Sequence, residues 1–179
     1  MVNRLSNTTP GLHCLIIYSD LVTLREFYTC YIKAQIENKN KMVLFNPFYE
    51  TISSVRRSFS NSHKAIDVNK YENTETLIIN DSLSEYFGET NSFNSKIRLL
   101  EFANRSGKDG LSVIADMGSY FFKMDYDKLV DYELSLPLYF DMPLTGLCLY
   151  HKKDFARLSE EQRQMLVSNH AMTLKLESH

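Results

Sequence analysis

Short apolar runs that alternate with amphipathic helical segments are the feature that most constrains how this sequence folds. Five runs lack a regular alternation of apolar and polar side chains, as strands covered on both faces do: residues 12–18, 42–45, 76–79, 111–115 and 144–150. Residues 171–177 do alternate, which predicts a half-exposed edge strand. Because strands and helices follow one another throughout, we expect an α/β fold with a mostly parallel central sheet and helices on both faces.

The segments between these runs carry helical signals. Apolar side chains between residues 24 and 32 repeat with a helical period, and Thr23 with Glu26 predicts a capping box at the start of this first helix. Further helices are predicted over residues 53–61, 95–105, 126–139 and 159–169, the last one capped by Ser159 and Gln162. Residues 88–95 are interpreted as a long surface loop.

Composition limits the class of protein and its partners. With 179 residues and 44% hydrophobic side chains, the chain is expected to form one domain over residues 1–179, with a core of about 11–177. A net charge of −2 argues against direct nucleic-acid binding, and the apolar runs are too short to span a membrane. No signal peptide precedes the first strand, and the three cysteines have no CxxC spacing, so we expect a cytoplasmic protein.

The turn after the first apolar run lacks the residues that grip a phosphate. None of the six glycines lies between residues 12 and 87, and the turn reads YSDLVT. A phosphate loop needs glycines so that backbone N–H groups can approach the anion, and usually a lysine to neutralise it. We therefore exclude the usual phosphate loop, and leave only a weaker polar contact at a helix start capped by Ser19 or Asp20.

Polar residues follow every predicted parallel strand at its carboxyl end, where open α/β sheets bind ligands. We predict that a small-molecule site is formed there by Tyr18, Ser19, Asp20, Asn46, Asp81, Ser82, Asp116, Met117, Tyr120, Tyr150 and His151. Asp116 directly follows an apolar run, where a carboxylate is costly unless it is paired or solvated. Two alternatives stay open: the polar residues serve only as helix caps and turns, and the aromatic residues serve only as core.

One segment resembles a motif of the RecA/KaiC superfamily of ATPases. ETLIINDSLSEYF, which ends at Phe87, looks like a Walker B strand closed by Asp81 and Ser82. In that superfamily the second strand usually ends in acidic residues that activate the attacking water, whereas this chain has Asn46 and Pro47 there. Together with the missing Walker A glycines and lysine, the resemblance implies a degenerate member without ATPase activity.

A broader resemblance covers about 160 residues. The pieces LHCLIIYSD, LSVIADMGSYFF, LVDYELSL and LTGLCLYHKKDF, with a late histidine, resemble the MEDS domain, a sensory domain of methanogens, methylotrophs and a regulator of dichloromethane breakdown. The residues that carry the motif are His13, Cys14, Glu133, Cys148 and His170. The resemblance implies a three-layer RecA-like fold that senses small molecules, often joined to a helix-turn-helix domain or a histidine kinase.

His13 lies at the start of the first strand and His170 just before the last one, so both are predicted to lie at the opposite end of the sheet from the polar strand ends. A metal site would need a third donor that the spacing does not identify, so we expect a structural role for the pair and predict neither metal nor cofactor. Cys14 and Cys148 are expected to behave as small apolar residues within strands, with redox sensing as the alternative.

The sequence thus favours a non-catalytic, cytoplasmic sensor of a small ligand. Because no helix-turn-helix or kinase segment is recognised, we expect the chain to act through a histidine kinase, a transcription regulator or a second copy of itself. One alternative is a nucleotide- or metal-dependent hydrolase in which Asp81 and Asp116, at adjacent strand ends, hold a divalent ion. The other is a ligand-free interaction protein that associates through an apolar patch or its last edge strand.

Overall fold

A six-stranded parallel sheet forms the centre of the molecule. The computed structural model describes residues 5, 11–61, 65–88 and 92–177. The strands are β1 (His13–Tyr18), β2 (Met42–Asn46), β3 (Leu77–Ile79), β4 (Leu111–Asp116), β5 (Leu144–His151) and β6 (Met172–Leu176). Their order is β3-β2-β4-β5-β1-β6 and every neighbouring pair is parallel, which confirms the predicted α/β fold.

Helices pack on both faces of the sheet and complete three layers. They are α1 (Leu21–Lys33), which continues into a π-helical segment (Ala34–Asn38), α2 (Ile52–Asn61), α3 (Val68–Asn73), α4 (Ser82–Phe87), α5 (Ser92–Arg105), α6 (Gly118–Lys123), α7 (Tyr126–Leu134), α8 (Lys152–Phe155) and α9 (Glu160–Ser168). Side chains of α1, α2 and α3 form one apolar core, and side chains of α4 to α9 form the other. Successive side chains of a strand point to opposite faces, so each inner strand contributes to both cores.

Of three helix ends with a specific prediction, two differ from it and one agrees. Asp20 caps α1 by accepting a hydrogen bond from the Thr23 N–H, so the predicted capping box of Thr23 and Glu26 is wrong. Helix α7 ends at Leu134 and not at residue 139, because Pro137 disfavours helical backbone in the residue before it. The capping box of Ser159 and Gln162 on α9 is confirmed.

The predicted loop over residues 88–95 is also wrong in part. Helix α5 begins at Ser92, so the last four of these residues are helical, while residues 89–91 lie outside the described part of the chain. Helices α3, α4, α6 and α8 were not predicted, because they contain only four to six residues and are too short to show a helical period.

Strand β6 closes one edge of the sheet beside β1. Its exposure alternates along the strand, which confirms the predicted half-exposed edge strand. The pairing places His13 opposite Gly146 of β5, and the Ala171 N–H donates to the His13 carbonyl from the other side. Within the described residues, no helix has both the length and the apolar character needed to cross a membrane.

Candidate functional site

The carboxyl ends of the strands meet along one edge of the sheet, and we call residues 18–20, 46, 80–82, 116–117 and 150–151 the rim. Asp116 ends the central strand β4 and is 1% exposed. Its carboxylate accepts hydrogen bonds from Tyr18 Oη at 2.8 Å and from the Gly118 N–H at 2.9 Å. Burial raises the pKa of Asp116 to about 7, although both hydrogen bonds act in the opposite direction. The rim therefore contains a carboxyl group that titrates near neutral pH.

Several rim side chains cap the helices that follow their strands. Asp20 and Asp81 accept hydrogen bonds from backbone N–H groups in the first turns of α1 and α4, and His151 Nδ1 accepts from the Lys153 N–H. Ser19 donates to Asp20 at 2.8 Å, and Ser82 donates to the Asp116 carbonyl at 2.9 Å. These five side chains hold the shape of the rim, as the capping alternative predicts.

Two aromatic residues from the loop after β2 cover the middle of the rim. A Cβ atom added at Gly118 would lie 2.4 Å from the Phe48 ring and 2.8 Å from the Tyr49 ring, so the glycine allows both rings to pack against the start of α6. Tyr49 also donates a hydrogen bond to Asp154 of α8. Because β4 lies between β2 and β5, this contact links two loops across the end of β4.

Asn46, at the end of β2, is the rim residue whose polar atoms are left without partners. The residue is 0% exposed, and neither its Nδ2 nor its Oδ1 has a hydrogen-bond partner among the residues that the structure describes. Leaving a buried amide unpaired costs free energy, on the order of 1–3 kcal/mol for each unsatisfied group. The amide thus offers one donor and one acceptor to a ligand.

An open groove borders the rim on the side of β1 and β6. It has a volume of about 730 Å³ and lies between the ends of these strands and helices α8 and α9. Its apolar wall includes Ile17, Phe155 and Leu176. Of the predicted ligand-binding residues, it reaches Tyr18 and Ser19. The groove is large enough for a metabolite-sized molecule.

The structure does not bring Asp81 and Asp116 to adjacent strand ends. Strand β2 lies between β3 and β4, so the two strands are separated by about 10 Å, at about 4.8 Å for each spacing. The Asp81 carboxylate is turned toward the Ser84 N–H that it caps. A divalent ion binds its oxygen ligands at about 2.0–2.6 Å, so this arrangement does not form the predicted shared ion site.

The segment that resembles a Walker B strand lies at the edge of the sheet. Strand β3 is four strand spacings, or about 19 Å, from β1. A carboxylate at the end of β3 is therefore too far from the turn after β1 to share a bound magnesium ion with it. The sequence did not reveal the position of β3, because an apolar run followed by an acidic residue does not show where a strand lies in the sheet.

Three residues predicted for the rim site are buried in the second core. Met117, Tyr120 and Tyr150 are between 0% and 1% exposed and pack among the side chains of α4 to α9. The Tyr150 hydroxyl donates to Glu133 Oε1 at 2.5 Å. Tyr150 therefore contacts a second group of polar residues that lies beneath the rim.

That second group, which we call the buried cluster, contains His13, Glu133, Cys148 and His170. All four residues are at most 5% exposed, and their potential metal-donor atoms lie within 4.8 Å of one another. Glu133 Oε2 lies 3.3 Å from His13 Nε2, 3.4 Å from His170 Nε2 and 3.5 Å from Cys148 Sγ. Cys148 Sγ also lies 3.4 Å from His13 Nε2. Four elements of the fold thus bring nitrogen, oxygen and sulfur donors to one point.

Hydrogen bonds fix the elements that position the buried cluster. His13 begins β1, Cys148 lies within β5, Glu133 lies on α7 and His170 directly precedes β6. His170 Nδ1 lies 2.6 Å from the Leu166 carbonyl oxygen, so the Nδ1–H donates there and fixes the ring. Asn169 Nδ2 donates to the Glu133 carbonyl at 2.7 Å and ties α7 to the end of α9.

The ionisation of the buried cluster is set by its internal contacts. Burial alone would raise the pKa of Glu133, but the neighbouring His13 and His170 outweigh burial and hold it well below its ordinary range. The pKa of Cys148 is raised well above its ordinary value, first by burial and then by the negative charge of Glu133. The structure thus combines an ionised carboxylate with a protonated thiol.

A small cavity of about 20 Å³ lies beside the buried cluster. It is lined by His13, Cys148 and Gly146, and most of the remaining wall consists of aromatic and aliphatic side chains. Tyr86 also lines it, and its buried hydroxyl has no partner within the described ranges. The volume corresponds to about one water molecule.

Sequence reasoning placed His13 and His170 at the same end of the sheet but did not identify the other donors. Both histidines lie at the amino-terminal side of β1 and β6, the end of the sheet that the sequence predicts, and the structure adds that their ring centroids are 4.0 Å apart. Glu133 and Cys148 were singled out only as motif residues. Cys14, the fifth motif residue, belongs to the opposite core, and burial raises its pKa to about 12.

Comparison with known proteins agrees with this architecture. The family model described as MEDS, the MEthanogen/methylotroph, DcmR Sensory domain, matches residues 12–171. No curated protein matches the sequence.

Two solved structures share the fold at low sequence identity. A KaiC-like protein, PH0186, from the archaeon Pyrococcus horikoshii OT3 superposes with a TM-score of 0.62 and 15% identity, over 94% of this chain and 73% of that one. The flagellar accessory protein FlaH from Methanocaldococcus jannaschii superposes with a TM-score of 0.53 and 11% identity, over 97% of this chain and 74% of that one. The fold is therefore RecA-like, as the sequence resemblance implies.

Proposed function

The chain belongs to the MEDS family of sensory domains, and from that membership we propose that it is a non-catalytic, cytoplasmic sensor that binds a small ligand at the rim and acts through a partner protein. The single observation that carries the ligand site is Asn46, a fully buried amide with neither of its polar atoms paired among the described residues. A bound molecule that accepts from Nδ2 and donates to Oδ1 offsets the cost of burying this amide.

The surroundings of Asn46 suit an uncharged or weakly polar ligand. Phe48 and Tyr49 follow it in the chain and contribute aromatic surface, while the Asp116 carboxyl contributes a group that titrates near neutral pH. Binding sites for small molecules combine apolar walls with a few placed polar groups in this way. The groove at β1 and β6 lies three strand spacings, or about 14 Å, from Asn46, so it provides volume only for a larger ligand that extends along the rim.

The start of α1 supports the absence of ATPase activity in this proposal. Asp20 caps the helix with its own carboxylate, which accepts from the Thr23 N–H, one of the N–H groups that would otherwise face a phosphate. A triphosphate brought to this turn meets a negative charge and no glycine. A phosphate site here would require the loss of the Asp20 cap.

Signal transfer requires two arrangements of the rim with different ligand affinity. The contact between Tyr49 and Asp154 links the loop after β2 to helix α8, so a ligand that inserts beside Asn46 competes with or reinforces this link. The surface of these loops would then present two forms to a histidine kinase, a transcription regulator or a second copy of the chain.

A thermal-shift screen of small metabolites tests the proposal. At a concentration 100 times its dissociation constant, a ligand that binds only the folded chain adds about 2.7 kcal/mol to the free energy of unfolding, which is a readily measured rise in the melting temperature. Asn46→Leu should abolish this rise, because leucine keeps the volume but offers no hydrogen bonds. Asn104→Leu, at an exposed position of α5 outside the rim, is the matched control and should keep it.

Two outcomes would contradict the proposal. Either no compound in a broad panel stabilises the chain, or the stabilisation by an active compound is the same in Asn46→Leu as in the wild-type chain. ATP hydrolysis that is lost in Asp81→Asn would favour the hydrolase alternative instead.

A further inference from the structure

We propose that the buried cluster of His13, Glu133, Cys148 and His170 is a binding site for one divalent transition metal ion, with Zn²⁺ as the best match to its donors. The inference is independent of the proposed rim ligand, because the cluster lies below the rim on the opposite side of Tyr150. It rests on the geometry of the donor atoms, on their charge and on an unpaired ring nitrogen.

The distances between the donor atoms suit a tetrahedral ion. Zinc binds nitrogen and oxygen at about 2.0–2.2 Å and sulfur at about 2.3 Å, so the edges of a tetrahedral site measure about 3.3–3.6 Å. The contacts of Glu133 Oε2 with His13, His170 and Cys148 are 3.3, 3.4 and 3.5 Å. The contact of Cys148 Sγ with His13 Nε2 is 3.4 Å. The two remaining separations, from His170 Nε2 to His13 Nε2 and to Cys148 Sγ, are at most 4.8 Å, so an ion among these four atoms requires the side chains to draw together by about 1 Å at most.

Charge balance also favours a divalent ion. When a metal ion binds, Cys148 loses its thiol proton to solvent and its sulfur forms the bond to the metal. The resulting thiolate and the Glu133 carboxylate carry two negative charges, and the two imidazole rings are neutral ligands. The loaded site therefore has no net charge, which is the condition under which a buried ion is least costly.

His170 provides a second, independent observation. Its Nδ1–H donates to the Leu166 carbonyl, so the neutral ring has its lone pair on Nε2. That atom is buried and lies 3.4 Å from Glu133 Oε2, but it makes no hydrogen bond in the part of the chain that the structure describes. Metal-binding histidines typically donate their other N–H to a carbonyl or carboxylate in this manner, and the Tyr150 hydroxyl holds Glu133 similarly.

The mixed donor set selects among metals. One thiolate, two imidazoles and one carboxylate form a borderline-soft environment that suits Zn²⁺, whereas Mg²⁺ and Ca²⁺ prefer oxygen ligands only. Co²⁺ takes the same tetrahedral geometry and makes the site visible by absorption spectroscopy.

Metal titration of the purified 179-residue chain tests the inference. After treatment with a chelator, the chain is dialysed against Zn²⁺ or Co²⁺, and we expect one equivalent of either ion per chain. The cobalt form should show the visible bands of a tetrahedral centre and a thiolate-to-cobalt charge-transfer band. Mg²⁺ at the same concentration should not compete.

Substitutions of two buried cysteines, one inside the buried cluster and one outside it, test whether the metal binds at this cluster. Cys148→Ala should lose the charge-transfer band and weaken Co²⁺ binding at least about tenfold. Cys14→Ser is the matched control, because Cys14 is equally buried but lies in the opposite core. It should keep the stoichiometry and the spectrum of the wild-type chain.

The inference is overturned if the folded wild-type chain binds neither ion at one equivalent, or if Cys148→Ala retains the wild-type spectrum and affinity. Should Cys148→Ala fail to fold, X-ray absorption of the zinc-loaded wild-type chain decides. One sulfur with three nitrogen or oxygen neighbours supports the site, and a shell without sulfur refutes it.

Discussion

Asp116 at the rim and Glu133 in the buried cluster are both carboxyl groups almost wholly removed from solvent, at 1% and 0% exposure. Their pKa values nevertheless move in opposite directions. Burial raises the pKa of Asp116 to about 7, and two hydrogen bonds from uncharged donors do not offset it. Burial acts on Glu133 as well, but the two adjacent imidazoles outweigh it and lower the pKa. Both groups are equally buried, so the chemical type of the neighbouring side chain decides the ionisation of each carboxyl group.

The largest expected effect comes from removing the carboxylate that holds the buried cluster together. Glu133→Ala leaves the Tyr150 hydroxyl without its acceptor and removes the carboxylate that lies beside both histidines, so the free energy of unfolding should fall by about 4 kcal/mol. Urea unfolding followed by circular dichroism measures the change. Glu101→Ala, on an exposed position of α5, should stay within about 0.5 kcal/mol of the wild-type chain. A loss below 1 kcal/mol in Glu133→Ala would mean that the cluster does not stabilise the fold.

Removing the charge of the rim carboxylate Asp116 should instead increase the free energy of unfolding. Because the pKa of Asp116 in the folded chain, about 7, lies above its ordinary 3.8, its contribution to stability is fully present below about pH 4 and is lost as the pH rises to 7. Asp116→Asn keeps an oxygen for the Gly118 N–H but cannot ionise. It should therefore raise the free energy of unfolding at pH 8 by on the order of 3 kcal/mol, with little change at pH 4.

Urea unfolding of both chains at pH 4, 6 and 8 checks this dependence. The difference between Asp116→Asn and the wild-type chain should grow from pH 4 to pH 7 and then level off. A difference that is constant with pH would show that the pKa of Asp116 is the same in the folded and the unfolded chain, and the raised pKa that contrasts with Glu133 would be absent.

A smaller effect is expected at Asn46. Asn46→Leu should raise the free energy of unfolding by about 1–2 kcal/mol, because it replaces a buried, unpaired amide with an apolar side chain. Asn80→Leu, at an exposed strand end, should bring no gain. Differential scanning calorimetry of the two variants separates these cases. If Asn46→Leu destabilises the chain without any added ligand, the amide is already satisfied by solvent and is not held ready for a ligand.

The fold was predictable from sequence because burial on both faces of a parallel strand leaves a continuous apolar run. Every predicted strand was found within two residues of its expected position. Helices of one turn, such as α8, were missed because four residues do not show a period. The early end of α7 was readable from Pro137, whose effect on the preceding residue the apolar pattern concealed.

The sites were less predictable, for a physical reason. That ligands gather at the carboxyl ends of the strands follows from topology, but which polar atoms are already paired depends on three-dimensional contacts. Asn46 and Asp81 look alike in sequence, and only the structure shows one unpaired and the other capping a helix. Glu133 and Cys148 come from α7 and β5, so no local spacing reveals that they meet the two histidines.

The smallest expected effect concerns the cavity beside the buried cluster. A Cβ atom at Gly146 would meet the Phe140 and His13 rings at 3.4 and 3.6 Å, which is ordinary van der Waals contact. Gly146→Ala should therefore fill part of the cavity and raise the free energy of unfolding by about 0.5–1 kcal/mol, since alanine also restricts the unfolded chain. The cobalt spectrum should not change, because the donors stay in place. A fall in stability would instead indicate that the cavity holds an ordered water, and the buried cluster would then resemble the rim in having a polar space beside its carboxylate.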